Sequence, residues 1–323
     1  MNPAFLRALL ASLCMTVSMA VTAQSFPTKP VRFIVPFPPG GSSDVIARAV
    51  GKKLSERWGQ PVVIENKTGA ATTIASDFVA KAPADGHTIL LAAAAFVTTQ
   101  YAYPKLPYDT RRDFVPVSLL VTLPLVLVVN PSTMNISSIG EFVTAAKKSP
   151  GKLTYGSSGN GSLPHLAMEL FRMQSGIDVV HVPYKGGVPA VIDLVGGQLN
   201  LIVSGPLEVM PNVKAGRLRV VGISSATRAS YWPEVPTFKE SGYRDYEAYA
   251  WFGVLAAAAT QKDVLAKLNA DIVAALKSPE VAERLAPQGL DLAGTTAEEF
   301  GRFLALEHAR WSAVVKAANV VVE

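Results

Sequence analysis

The sequence predicts an α/β protein built from two lobes joined by crossover strands. Three observations carry that reading. Short apolar runs bounded by turn residues alternate with segments whose apolar residues recur at helical spacing. The alternation restarts after a long apolar stretch, Val115 to Val129, which Pro124 interrupts. Finally, two loops of one kind, "PFPPGGSSD" and "YGSSGNGSLPH", each follow a strand pattern and open a helix, one in each half of the chain.

The N-terminus comes first. In "MNPAFLRALLASLCMTVSMAVTAQ", Arg7 precedes an apolar stretch from Ala8 to Val21 and a small-residue site, Val21-Thr22-Ala23. Residues 1–23 therefore read as a signal peptide cleaved after Ala23, placing the protein in the periplasm. The run falls short of the ~20 apolar residues that span a bilayer, and Leu13 before Cys14 does not suit a lipoprotein site. Cys14 is the one cysteine of the chain. The processed protein would lack thiols, which excludes thiol catalysis, iron–sulfur clusters and cysteine–zinc sites.

Strand patterns at Val31–Val35, Pro61–Glu65 and Thr88–Ala92 alternate with helical ones. In Asp44–Trp58, for example, Val45/Ile46, Ala49/Val50, Leu54 and Trp58 share a face. Ala92 to Gln100 reads as a small, apolar loop carrying Phe96. Val115–Val129 carries the chain into the second lobe. There a helix near Ile136–Lys148 is followed by strand, loop and helix in "KLTYGSSGNGSLPHLAMELF". A strand within Ile177–Tyr184, a Gly-rich turn, a helix and a strand follow, and then "LRVVGIS". Tyr246–Ala257 reads as the return crossing, with Trp251 and Phe252 as core or as cleft wall, and two helices close the chain at Gln261–Lys277 and Ala297–Ala318. The lobes read as residues 24–125 plus 250–323, and 126–249.

With 49% hydrophobic residues over 323 positions, both lobes have material for a filled core. The 30 Lys and Arg against 25 Asp and Glu are interspersed, without the basic stripe that nucleic acid requires. A modestly basic balance favours small anions. The two loops suit them: a helix start exposes unpaired amides and positive charge, glycine lets a ligand oxygen approach, and serine adds donors. The competing reading of each loop is a strand-to-helix turn with a capping residue. Asp44 would compete with an anion, so it reads as a cap that fixes the first loop.

Enzyme signatures are missing. Gly156-Ser157-Ser158-Gly159-Asn160 ends in Asn where a nucleophile elbow needs Gly. There is no GxGxxG and no GK[ST], and the four histidines show no metal spacing. No catalytic residue, metal or cofactor is expected. His165, in the first turn after the second loop, reads either as a ligand contact or as a capping and packing residue. Asp193 reads as a structural acceptor near the cleft, and Lys185 as an anion attractor or a solvated turn residue. The rival class, an exported serine hydrolase, requires a histidine in reach of Ser157 or Ser158, itself held by an aspartate.

From about Pro27 to the C-terminus the chain resembles the Bug (Bordetella uptake gene) family, periplasmic receptors of tripartite tricarboxylate transporters. The resemblance rests on "PVRFIVPFPPGGSSDVIAR", "GQPVVIENKTGA", "APADGHTILL", "LPYDTRRDFVPVSLL", "GKLTYGSSGNGSLPHLAMELF", "VVHVPYKGGVPAVIDLVGGQLNL", "LRVVGIS", "WPEVPTFKESG" and "WFGVLA". It implies a periplasmic binding protein-like Venus flytrap, monomeric, in which each lobe holds one end of a carboxylated ligand for delivery to membrane permease subunits. A ligand-loaded sensor for a membrane signalling protein is the alternative use of such a fold. The first anion site then corresponds to Pro39, Gly40, Gly41, Ser42 and Ser43, with Asp44 holding the loop. The second corresponds to Ser157, Ser158, Gly159, Asn160 and Gly161, with His165 and Asp193 nearby. Thr72 and Thr73 sit on a cleft-lining loop in which Ala71-Thr72 replaces the usual glycines. Ser204-Gly205 stands where many relatives have Asp, and Phe37 and Phe96 are the expected apolar walls.

Overall fold

The computed structural model describes residues 26–318, apart from 104, 185 and 286–289. The signal peptide read in residues 1–23, with Cys14, and Lys185 lie outside the described residues. Six strands form one sheet: β1 (Val31–Val35), β2 (Val62–Asn66), β3 (Thr88–Ala93), β4 (Phe114–Pro124), β10 (Tyr249–Ala257) and β11 (Asp291–Leu292), in the order β11-β4-β10-β3-β1-β2. Five form the other: β5 (Val126–Val129), β6 (Thr154–Ser157), β7 (Val180–Pro183), β8 (Leu201–Ser204) and β9 (Arg219–Ile223), in the order β7-β6-β8-β5-β9. β1 is parallel to both β2 and β3, and β6 to both β7 and β8. β10 runs antiparallel to β3 and β4, and β5 to β8 and β9.

Helices cover the sheets: α1 (Ser42–Trp58), α2 (Thr73–Ala80), α3 (Ala94–Ala102), α4 (Ile139–Lys148), α5 (Leu163–Ser175), α6 (Gly187–Val195), α7 (Pro206–Lys214), α8 (Lys262–Leu276), α9 (Pro279–Leu285) and α10 (Ala297–Ala317). Central strands covered on both faces read as continuous apolar runs, and β3, TILLAA, is buried throughout. α1 buries Ile46, Ala47, Ala49, Val50 and Leu54, the face its periodicity predicts, and ends at Gly59 in the left-handed conformation (φ 63°). Two expectations change. Ala94–Ala102 is helix rather than loop, because alanine favours helix and the segment holds neither glycine nor proline. Three described helices, not two, close the chain, since α9 starts at Pro279, a residue suited to the first helical turn.

The crossings between sheets are short and tied together. β4 passes through Leu125 straight into β5. The Leu125 amide donates to Ser224 Oγ (2.8 Å), the Ser224 amide donates to Leu125 O (2.9 Å), and Ser224 Oγ donates to Ala248 O, just before β10. α10 packs on β4 and α3 and also reaches α5 beside the second sheet. Its Glu307, fully buried, accepts from the indoles of Trp251 (2.9 Å) and Trp311 (2.8 Å) and pairs with Arg310.

Candidate ligand-binding cleft

Strand direction decides which loops meet. In the first sheet, Ala93 at the end of β3 pairs with Phe252, and Pro124 at the end of β4 pairs with Tyr249. The ends of β1, β2 and β3 therefore lie where the chain crosses over. In the second sheet, Ser204 at the end of β8 pairs with Val126, the first residue after the crossing. The ends of β6, β7 and β8 lie there too. Both sets of carboxyl-terminal loops thus sit at the crossover ends, where α/β sheets gather ligands.

Most helix starts at these edges, though not that of α5 after β6, share a property. α1, α2, α3, α6 and α7 begin at Gly41, Thr72, Ala93, Gly186 and Gly205, and no side chain caps any of them. By contrast, Ser138 caps α4, Ser162 caps α5, and Thr296 forms a reciprocal capping box with Glu299 on α10. α8, at the far end of the first sheet, also lacks a cap. Uncapped starts leave amides and positive partial charge for a ligand.

The first loop is held from beneath. Asp44, 4% exposed, accepts from the Gly40 amide (3.0 Å) and Arg48 Nε (2.8 Å) through Oδ2, and from Asn66 Nδ2 (3.0 Å) through Oδ1. Asn66 also donates to Phe37 O (2.9 Å). The Arg48 hydrogen bond, opposed by burial, holds the Asp44 carboxyl at about 2. Asp44 is thus an ionised brace whose charge Arg48 offsets. The side chains of Ser42 and Ser43 make no hydrogen bond among the described residues, so both remain available as donors. Phe37, half-buried, meets Phe252 edge-on with ring centroids 6.2 Å apart.

The neighbouring loop after β2 is strained. Ala70, Ala71 and Thr72 have φ of 44°, 46° and 80°, a region that side-chain-bearing residues rarely occupy. The Oγ1 atoms of Thr72 and Thr73 are buried without a hydrogen-bond partner among the described residues. A buried hydroxyl left unpaired costs roughly 1–3 kcal/mol, so these two groups gain from an incoming acceptor.

The second loop is largely occupied with itself. Ser157, 1% exposed, accepts from the Gly159 amide (3.1 Å) and lies 2.7 Å from His181 Nε2. The Gly161 amide donates to His165 Nδ1 (3.0 Å), and the Ser162 amide to Gly159 O (3.2 Å). Gly159 (φ 129°) and Gly161 (φ 70°) adopt conformations that favour glycine. His165 and His181 stack with centroids 3.9 Å apart and planes 4° from parallel. Burial pushes His165 below the usual histidine range. Burial, together with His165, pushes His181 to about 4. The side chains of Ser158 and Asn160 make no hydrogen bond among the described residues, so they are the free donors of this loop.

Other expected site residues fall elsewhere. Phe96 is a correction: it is 1% exposed and packs edge-on against Phe114 at 5.0 Å, so its ring has no face to offer a ligand. Ser204, 2% exposed, donates to Glu208. Asp193 accepts from the Tyr184 hydroxyl (2.7 Å), and burial pushes that phenol up to about 12. The residues missed by sequence reasoning are His181, Tyr184, Asn66 and Arg48. Arg48 was recoverable, lying four residues after Asp44 on one helix face. His181 was not, because nothing local reports that β7 lies beside β6.

Residues 46–320 match the family described as tripartite tricarboxylate transporter family receptor. Protein BugT of Bordetella pertussis is 38% identical over 302 residues, 93% of this chain and 92% of that protein. Two solved structures align along nearly their whole length. "R. palustris Rpa4515 with adipate" has a TM-score of 0.76 at 34% identity, with 92% of this chain and 99% of that one covered. MatC from Rhodopseudomonas palustris with bound malate has a TM-score of 0.73 at 30% identity, with 90% and 100% covered.

Proposed function

This chain belongs to the tripartite tricarboxylate transporter receptor family, and on that premise we propose that it captures a small dicarboxylate between its lobes and delivers it to the membrane permease subunits of such a transporter. One observation carries the proposal. Uncapped helix starts from both sheets gather at the edges beside the crossovers, with the unpaired hydroxyls of Thr72 and Thr73 on the side of the first sheet. One carboxylate would be held by the amides and hydroxyls of Ser42 and Ser43, behind Pro39, Gly40 and Gly41, with Thr72 and Thr73 beside them. The other would be held by Ser158 and Asn160. Ser157, Gly159 and Gly161 shape the second loop, and Phe37 forms a wall. The adipate and malate of the two relatives support the ligand class.

In this reading the protein works in the periplasm as a monomer, exported by the leader at residues 1–23. Residues 24–125 with 250–323 and residues 126–249 are its two closing units. No catalysis is involved. Ser157 and His181 are in contact, but Ser157 is buried and no carboxylate bonds His181 among the described residues. A triad needs both an accessible hydroxyl and an orienting acid. Denaturing a freshly purified sample and identifying released small molecules by mass spectrometry, then titrating malate and adipate calorimetrically, tests the proposal. Saturable binding of either acid without turnover supports it. Absence of any carboxylate ligand, or hydrolysis of generic esters lost in Ser157→Ala, overturns it.

A further inference from the structure

We propose that His165 positions the second loop as an obligate hydrogen-bond acceptor, so that the loop keeps its ligand-binding shape only while this imidazole is neutral. The proposal rests on the binding function above and adds a dependence on protonation that the loop's sequence does not reveal.

The geometry allows one assignment of the proton. The Gly161 amide can only donate, and it points at His165 Nδ1 from 3.0 Å. Nδ1 therefore carries a lone pair, and the neutral ring holds its proton on Nε2, 4.0 Å from Glu169 Oε1. The ring cannot swing to offer its other nitrogen. One face lies flat on His181 at 3.9 Å, and His181 lies on Tyr155 at 4.8 Å, whose hydroxyl donates to Glu169 (2.7 Å). Protonating Nδ1 sets N–H against N–H, and the Gly161 bond breaks. Gly161 then loses the contact that holds its left-handed turn (φ 70°) one residue before the helix cap, Ser162.

His181 differs. If protonated at Nε2 it still bonds Ser157, because that hydroxyl can turn its own proton to Gly159 O, 3.1 Å away. The sensitivity therefore falls on His165. Burial opposes a charge on it, and of the groups facing it from its own helix and the neighbouring elements Glu169 favours one. On its own helix, Glu169 would attract a proton, but Arg172 takes up that carboxylate with contacts of 2.9 and 3.0 Å. From β6 comes the neutral Tyr155, from β7 the imidazole of His181, and beyond Arg172 lies Asp178 at 3.5 Å. Burial is the largest influence on His165 and lowers its proton affinity. The loop is thus ordered at neutral pH and loosens as pH falls below the ordinary histidine range.

The test compares the parent with His165→Phe, which keeps a stacked ring but removes the acceptor, and His165→Asn, whose Oδ1 lies near the Nδ1 position and cannot titrate. Adipate affinity is measured from about pH 8 to about pH 4.5, alongside nitrogen NMR of the Gly161 amide and the imidazoles in ligand-free protein. His165→Phe should bind about tenfold more weakly than the parent at neutral pH, and that gap should close as the parent's imidazole takes up its proton. His165→Asn should recover most of that loss and lack the extra decline the parent shows on acidification. Protonation of adipate affects all three alike. Parent and Asn variant tracking each other at every pH, or His165→Phe binding like the parent at neutral pH, would overturn the proposal. So would NMR placing the His165 proton on Nδ1 in the folded protein, and this readout decides even if adipate binds none of the three, a result that would instead sink the ligand class.

Discussion

Replacing Gly41 by aspartate should strengthen the fold and weaken binding together, and that pairing of opposite signs is diagnostic. Gly41 is the N-cap of α1 with φ −77°, a conformation open to any residue, and an added Cβ would meet nothing nearer than Pro38 O at 3.9 Å. Aspartate there can accept from the first amides of α1, and a good cap is worth about 1 kcal/mol. The same side chain puts a negative charge where a ligand carboxylate is proposed to sit. Two like charges roughly 5 Å apart at an effective dielectric near 20 repel by about 3 kcal/mol, which lowers affinity by about two orders of magnitude. Arg48 is bonded to Asp44 and cannot offset the new charge without abandoning it. Calorimetric titration of malate and adipate against Gly41→Asp, with thermal unfolding of both proteins, measures both effects. A variant that melts at or above the parent temperature and still binds like the parent would refute the placement of an anion at α1.

Three further outcomes are expected. Ala71→Gly should stabilise the protein by about 1 kcal/mol in denaturant unfolding, because glycine occupies φ 46° without the side-chain clash; a destabilised variant would show that the alanine makes contacts worth more than its strain. Glu307→Leu should cost about 3–5 kcal/mol, since it strands two buried indole N–H groups and leaves Arg310 only its bond to Glu247, while Glu307→Gln, which keeps an acceptor, should lose clearly less; equal losses would remove the hydrogen bonds from the explanation. His308, 4% exposed and held to about 4 by burial, takes up its proton in the unfolded chain first. Stability should therefore be unaffected by this group above about pH 6.5 and decline towards about pH 4, by about 3 kcal/mol in all. His308→Asn should flatten that slope in pH-dependent unfolding, and an unchanged slope would count against it.

Much of the fold was legible because the physics involved is local. The period of Ile46, Val50 and Leu54 announces a helix with one buried face, and a run such as TILLAA announces a strand covered on both sides. Asp44 was recognisable as a brace from its place in the first turn of a helix after a glycine pair. What escaped depends on neighbours distant in sequence. Whether Phe96 faces solvent or Phe114 is decided by how α3 settles on the sheet, and "AAAAF" is compatible with either. The contact of Ser157 with His181 exists because β6 and β7 pair in one register, Ser157 opposite Pro183. The loop sequence alone does not reveal that most of its polar groups are already bonded within the lobe.

Ser224 has a wider consequence. Because its amide and hydroxyl bond Leu125 and Ala248, both passages between the sheets are stitched at a single point. Two independent straps would allow the halves to slide, tilt and splay separately. If the lobes close, two straps riveted together would favour rotation about that point, as about an axle, over sliding, with α10 reaching α5 as a further link. The distance between the two proposed carboxylate seats would then depend mainly on one angle. Selection between a shorter and a longer dicarboxylate would be exercised in part by the stiffness of that axle, far from either seat, and not by the ligand-touching side chains alone.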